Sequence, residues 1–95
     1  MNLGKVVGTV VATRKETTMD GIKFMVVRHV DPEGKETSSF VVAADAVGAG
    51  PDELVLVATG SSARQTIATD KRPCDAVIMA IVDSWDVDGV EKYKK

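Results

Sequence analysis

The segment Asp75-Ala76-Val77-Ile78-Met79-Ala80-Ile81-Val82-Asp83 decides the fold that the sequence predicts. Small and branched apolar residues dominate it, and we expect a β-strand near Ala76 to Asp83. Both faces of this strand are apolar, with Ala76, Ile78, Ala80 and Val82 on one and Val77, Met79 and Ile81 on the other. A strand buried on both faces needs cover on both sides.

The strand before it has the same character, because Leu54-Val55-Leu56-Val57-Ala58 is apolar throughout. No segment has the pattern of a long amphipathic helix that would cover these strands. We therefore predict that other copies of the chain supply the cover and that the protein is a homo-oligomer. Val77, Met79 and Ile81 are then possible interface residues.

Further strands complete an all-β prediction, near Leu3 to Thr13, Lys23 to Val30, Phe40 to Ala43 and Leu54 to Thr59. Turn residues separate them, as in Asp31-Pro32-Glu33-Gly34-Lys35. We expect a small five-stranded β-barrel of the OB type.

Two local patterns refine this picture. Gly4, Val6, Gly8, Val10 and Ala12 would form one small apolar face of the first strand, and glycines there suit the tight bending of a small barrel. Gly60-Ser61-Ser62-Ala63-Arg64-Gln65 predicts one short helix with a serine as N-cap.

Composition indicates a single small globular domain. The 95 residues include 12 Lys and Arg against 14 Asp and Glu, a net charge of −2 that argues against a nucleic-acid partner. Cys74 is the only cysteine, so no internal disulfide can form, which fits a reducing compartment. Residues 1–5 lack a signal-peptide pattern, and no apolar run approaches the ~20 residues that span a bilayer.

No set of residues predicts catalysis, a metal site or a cofactor. His29 is the only histidine and has no second ligand at a metal-binding spacing. Cys74 has no visible base, and we expect a structural thiol. Asp45 has two interpretations, a local Asx-turn or a pair with a basic residue across an interface.

The C-terminal residues superficially resemble part of a calcium loop at Asp86, Asp88 and Gly89. The resemblance fails because Lys95 falls at the position that requires glutamate. We therefore divide the chain into a barrel domain at residues 1–85 and a solvated C-terminal tail at residues 86–95.

Taken together, the sequence resembles the EutN/CcmL family of microcompartment vertex proteins. Four fragments in the family's order carry the resemblance: LGKVVGTVVATRK at residues 3–15, DAVGAG at 45–50, GSSAR at 60–64 and DAVIMAIVD at 75–83. The resemblance implies a five-stranded barrel that assembles into a ring, usually a pentamer, at the vertices of a bacterial microcompartment shell. A heterologous contact whose rotation closes gives such a ring.

The resemblance also implies partners and a location. Hexameric shell proteins would tile the facets around the pentamer, in the bacterial cytoplasm. The loop Gly60, Ser61, Ser62, Ala63 and Arg64 would lie at subunit contacts near the ring axis, or else form an ordinary turn or bind an anion through its backbone N–H groups. Residues 86–95 depart from the family pattern.

Two other functions compete with the structural one. An OB-type barrel can bind single-stranded nucleic acid, but such sites use several stacking aromatics in a basic groove, and only Phe24 and Phe40 lie in predicted strands. An enzyme would need a catalytic or phosphate-binding motif, and none is present.

Arg64→Ala should shift the oligomer toward smaller species if the Arg64 guanidinium bridges to a carboxylate of a neighbouring subunit. Native mass spectrometry measures the subunit number. A mass profile identical to that of the unmodified chain would remove this role for Arg64.

Overall fold

Seven β-strands and two 3-10 turns make up the chain, and the computed structural model describes all of residues 1–95. The strands are β1 (Asn2–Val10), β2 (Phe24–Val30), β3 (Glu36–Asp45), β4 (Leu54–Thr59), β5 (Ala76–Ile81), β6 (Ser84–Val87) and β7 (Val90–Lys94). The turns are Thr17–Met19 and Gly60–Arg64. Neither helical turn has the length or apolar character to cross a membrane. The all-β prediction is confirmed, with 3-10 turns as its helical part.

Five of the strands close into a barrel in the order β1-β2-β3-β5-β4. Neighbouring strands are antiparallel except for β3 and β5, which run parallel and pair at Ala44–Val77 and Asp45–Ile78. The predicted five-stranded barrel is therefore confirmed. β4 has the predicted bounds, whereas β3 begins at Glu36 instead of near Phe40, because its ladder with β2 continues to the Val30–Glu36 pair.

Small side chains fill the barrel interior, and none of them is aromatic. The interior cluster consists of Val6, Met25, Val27, Ala43, Ala49, Val55, Val57, Ala76 and Ile78. A barrel of so few strands has a narrow interior that side chains of this size fill. Each buried valine or isoleucine contributes about 1.5–3 kcal/mol of transfer free energy. All larger apolar side chains must lie outside the barrel.

A β-bulge in β1 reverses the side-chain faces that simple alternation predicts. The register with β2 shifts between Val6 and Gly8, which makes Val7 the extra residue. An extra residue moves every later side chain to the opposite face. Val6 therefore points into the barrel and Val10 lies outside it, 41% exposed. The single apolar face predicted from Gly4 to Val10 is wrong beyond the bulge.

A second bulge, at Met79, has the same effect in β5. Ile78 pairs with Val57 and Ala80 with Leu56, so Met79 has no opposite residue. Met79 packs outside the barrel with Val77, while Ile81 packs against the interior cluster. The predicted common face of Val77, Met79 and Ile81 is therefore split at Met79.

The outer face of β5 is covered by the chain's own loop between β4 and β5. A second cluster lies there, made of Ala44, Ala58, Ala63, Cys74 and Val77, with Ile22, Phe24, Ala46 and Met79 packed against it. Val77 is 0% exposed and offers no surface to a neighbour. Val77 needs no cover from another copy, because residues 60–75 bury it, while a contact of Met79 with another copy stays a prediction.

The C-terminal residues form a hairpin of β6 and β7 instead of the expected solvated tail. The Trp85 and Tyr93 rings stack with centroids 5.1 Å apart. Trp85 Nε1 donates to the carbonyl oxygen of Pro32 at 2.8 Å, and Lys92 pairs with Glu33 at 2.7 Å. The hairpin therefore docks on the turn between β2 and β3.

Lys95 fastens the end of this hairpin to the barrel. Its Nζ lies 2.8 Å from Glu53 Oε2, and its backbone N–H donates to the carbonyl oxygen of Asp83. The Lys95 ammonium and the backbone N–H of Gly50 lower the pKa of Glu53, and Glu53 in turn raises the pKa of Lys95. Because both groups are solvated, this pair positions the chain end more than it stabilises the fold.

Gly4→Ala should lower the free energy of unfolding by about 1–3 kcal/mol, the usual cost of overpacking. A Cβ at residue 4 would overlap Cγ1 of Val27 inside the barrel. Gly8→Ala is the matched control, since its Cβ would lie 3.6 Å from Val26 Cβ, an ordinary contact. Denaturant unfolding at equal protein concentration measures both variants, and equal stabilities would contradict this packing.

Candidate subunit-contact surface

The outside of β1, β2 and β3 carries an apolar surface that nothing in the chain covers. Register places Gly8, Val26 and Val42 side by side, with Val10 and Phe40 in the rows on either side. Phe40 is 53% and Val42 50% exposed. We call Val10, Val26, Phe40 and Val42 the open face. Adjacent exposed apolar side chains on one sheet mark an interaction surface, whereas scattered ones do not.

Charged residues border the open face on one side. The Arg28 guanidinium lies over the Phe40 ring, 4.6 Å from its centroid, and Arg28 Nε is 3.8 Å from Glu36. Lys5 Nζ lies 3.5 Å from Glu36 and 3.9 Å from Asp52. An apolar centre with a charged margin is the usual anatomy of a protein–protein interface.

A groove continues the open face at its other end. Its volume is about 550 Å³, and its walls are mainly apolar. They are formed by Val10, Val11, Met19, Ile22, Phe24 and Val42, with Lys15 and Lys23 at the rim. We call this feature the groove. Its lining joins the barrel to the turn at Thr17–Met19.

The predicted contact loop, Gly60–Arg64, is a 3-10 turn. Some of its residues support the fold and others are exposed. Gly60 has a φ of +66°, a conformation that favours glycine. Thr59 occupies the N-cap position without a side-chain cap bond, so the predicted serine cap is absent. Ala63 is buried in the outer cluster, and Arg64 Nη1 donates to the carbonyl oxygen of Cys74 at 3.1 Å. Ser61 and Ser62 remain exposed.

Asp45 supports its own loop. Its Oδ1 accepts hydrogen bonds from the backbone N–H groups of Val47, Gly48 and Ala49 at 3.0–3.2 Å. These bonds are those of an Asx-turn, extended by one residue. The local interpretation of Asp45 therefore agrees with the structure, while a contact with another copy stays a prediction.

The residues examined for chemistry are not brought together. Cys74 is buried in the outer cluster, and burial raises the pKa of its thiol, which keeps it protonated. His29 is half-buried in β2, and its Nε2 has no hydrogen-bond partner. No group of three or more His, Cys, Asp or Glu side chains is placed to hold a metal ion.

Sequence reasoning missed the open face, although a signal was present. Phe40-Val41-Val42-Ala43 is apolar on both faces, just as the β5 segment is. Val41 and Ala43 pack in or against the interior, and Phe40 and Val42 face outward. Applying the argument used for β5 to β3 would have located this surface.

Comparisons with known proteins agree on one family. The family model described as "Ethanolamine utilisation protein EutN/carboxysome" matches residues 1–83. The chain is 46% identical to the carboxysome shell vertex protein CcmL of Gloeobacter violaceus, over all of this chain and 95% of that protein. It is 44% identical to the bacterial microcompartment shell vertex protein GrpN of Rhodospirillum rubrum, over 88% of this chain and 94% of GrpN.

Solved structures give the same result. The structure of Gloeobacter violaceus CcmL superposes with a TM-score of 0.96, covering 100% of this chain and 98% of that one. The GrpN pentameric microcompartment shell protein superposes with a TM-score of 0.85 at 41% identity, over 92% of this chain and 99% of GrpN. The fold and the matched length are therefore shared with these shell proteins.

Asp45→Ala should lower the free energy of unfolding by about 1–3 kcal/mol, because three N–H groups lose a common acceptor. Asp45→Asn keeps an oxygen in place and should retain most of the stability. Thermal unfolding compares the two variants, and native mass spectrometry follows assembly. Loss of assembly with unchanged subunit stability in Asp45→Asn would point to an interface role.

Proposed function

The chain belongs to the EutN/CcmL family, and from this premise we propose that five copies form a ring that occupies the vertices of a bacterial microcompartment shell. The named relatives are shell vertex proteins, and two structural neighbours are described as pentameric. The protein is a structural component of the shell, and it acts through its shape and its contacts with other subunits.

One observation in this chain carries the proposal: the open face has no cover within a single subunit. Val42 and Phe40 are each about half exposed, side by side on a rigid barrel wall. Burying apolar surface of this kind is the main favourable contribution to association. A ring supplies the cover because each subunit presents the open face to its neighbour and a different surface to the next.

The ring solves a geometric problem of the shell. A flat sheet of hexagonal units cannot close into a polyhedron, so each vertex requires a five-fold unit. We propose that hexameric shell proteins surround the pentamer there, and that the assembly lies in the bacterial cytoplasm. The homologues' names support the shell location.

We propose no catalytic activity and no nucleic-acid or membrane partner. The relatives are named for a structural role, which supports the first part. The net charge of −2 and the pairing of Arg28 and Lys5 with Glu36 support the absence of a nucleic-acid site, because such sites need free basic groups.

The Gly60–Arg64 loop remains a proposed element of the subunit contacts near the ring axis. Its exposed Ser61 and Ser62 hydroxyls are free to meet a neighbour, and the Arg64 guanidinium keeps further N–H donors besides the one bonded to Cys74. Met79 and Ile81 stay possible contact residues because each is only partly buried. Val77 is no longer one, because it is completely buried within its own subunit.

The purified chain should give a dominant five-subunit species in native mass spectrometry at micromolar concentration. Val42→Asp should raise the dissociation constant at least about tenfold, because it would bury an unpaired charge in the interface. Val90→Asp is the matched control, since Val90 is similarly exposed but lies at the start of β7 in the C-terminal hairpin. A monomeric unmodified chain would overturn the proposed function, and equal effects of the two variants would overturn the role of the open face.

A further inference from the structure

Ile67 is the most exposed large apolar side chain of the protein, at 102% of its reference area. It lies in the loop between β4 and β5, between Thr66 and Ala68. It contacts no part of its own chain, including its own groove. An isolated exposed apolar residue is ordinary, but this one is held in a fixed position.

Hydrogen bonds between Thr66 and Thr69 close the loop around Ile67. Thr69 is fully buried, and its Oγ1 lies 2.6 Å from Thr66 Oγ1. The backbone N–H of each threonine donates to the hydroxyl of the other. Thr66 and Thr69 thus close a short turn that holds Ile67 and Ala68 outward. We call this turn the tip.

Arg72 ties the tip to the rest of the molecule. Its Nη1 donates to the carbonyl oxygens of Asp20 and Thr18, which lie in and beside the turn that carries Met19. The tip is therefore anchored on the element that forms one wall of the groove. An exposed apolar side chain on an anchored turn loses little conformational entropy when it binds.

A ring made through heterologous contacts needs two different complementary surfaces on each subunit. The groove is a concave apolar surface of about 550 Å³, and the tip is a convex one that ends in a branched aliphatic side chain. The two features therefore fit each other in shape and polarity.

Their charges are also complementary. Lys23 lies at the rim of the groove and has no ion pair or side-chain hydrogen bond. Asp70, three residues beyond Ile67, is exposed and has no partner either. By contrast, Lys15, the other cation of the rim, already lies 4.0 Å from Asp20. The unpaired Lys23 ammonium at the groove can therefore pair with the Asp70 carboxylate, which lies beside the tip and is followed by the equally unpaired Lys71.

We propose that Ile67 of each subunit inserts into the groove of the next subunit of the ring, where Asp70 pairs with Lys23. This inference rests on the proposed function, because it names the contact by which copies join. The occupant of the groove is a second copy of this chain. Each subunit then donates one tip and receives another, which makes the contact heterologous, and a five-fold rotation between neighbours closes the ring.

Cysteine cross-linking tests this contact directly, because Cys74 is buried and leaves the surface free of thiols. We would prepare the double variants Ile67→Cys/Val11→Cys and Ile67→Cys/Val42→Cys and oxidise each assembled protein. Neighbouring thiols within the geometry of a disulfide should join copies head to tail. Denaturing electrophoresis without reductant should then give a ladder of covalent species that ends at five chains for at least one pair.

Matched controls fix the interpretation. Each single variant should give no covalent ladder, and Ile67→Cys/Val90→Cys should give none, because Val90 lies outside the groove. Covalent dimers from Ile67→Cys alone would mean that the tips touch one another, and this would overturn the proposal. Pentamers in native mass spectrometry without any ladder would overturn the proposal and leave the proposed function intact. A monomeric unmodified chain would remove the proposed function itself.

Charge exchange gives a second arm of the same test. Asp70→Lys and Lys23→Asp should each weaken assembly about three- to tenfold, a typical range for one partly solvated ion pair. Combining the two substitutions should restore most of the loss. Additive losses in the double variant would show that these groups do not meet and would overturn the pairing.

Discussion

The narrow interior of the barrel is the constraint on which the rest of the structure depends. Five short strands enclose room for small side chains only, and valines such as Val27 and Val55 fill it. The chain nevertheless carries more apolar side chains than this interior accepts, including Phe24 and Phe40. Each of these must find cover on the outer wall of the barrel. The surface of the protein is therefore organised by how that cover is supplied.

The two sides of the outer wall solve this problem differently. Around β5 the chain covers itself, since residues 60–75 bury Val77 completely. Across β1 to β3 the chain leaves Phe40 and Val42 about half exposed, while the β2–β3 turn and the C-terminal hairpin pack against one another. The open face is left for a neighbouring subunit. The Arg28 and Lys5 side chains at its margin lie within ion-pair distance of Glu36, although Arg28 Nε makes no hydrogen bond within the subunit.

The sequence predicted the barrel because strand and turn signals are local, and it predicted the family because four short segments match in order. It failed where one residue changes the geometry. The bulges at Val7 and Met79 reverse every side chain beyond them, and nothing in the residue types marks either position. The doubly apolar pattern of β5 predicted an oligomer, but Val77 of β5 is buried within its own subunit. The same argument applies to β3, where Phe40 and Val42 remain exposed.

A closed ring requires a fixed angle between neighbouring subunits, whereas tight binding alone does not. If each contact buries the usual ~800 Å² per partner, two contacts per subunit take about a quarter of the 5907 Å² surface. Subunit stability and assembly are then coupled by mass action, which adds stability to a domain that is small enough to have little to spare. A heterologous contact forms a closed ring only when its rotation is fixed, and otherwise gives open filaments. The buried Thr69 and the Arg72 anchor fix the direction in which the tip leaves the subunit. A flexible loop bearing the same Ile67 would lose more conformational entropy on binding the groove, and it would not specify five copies.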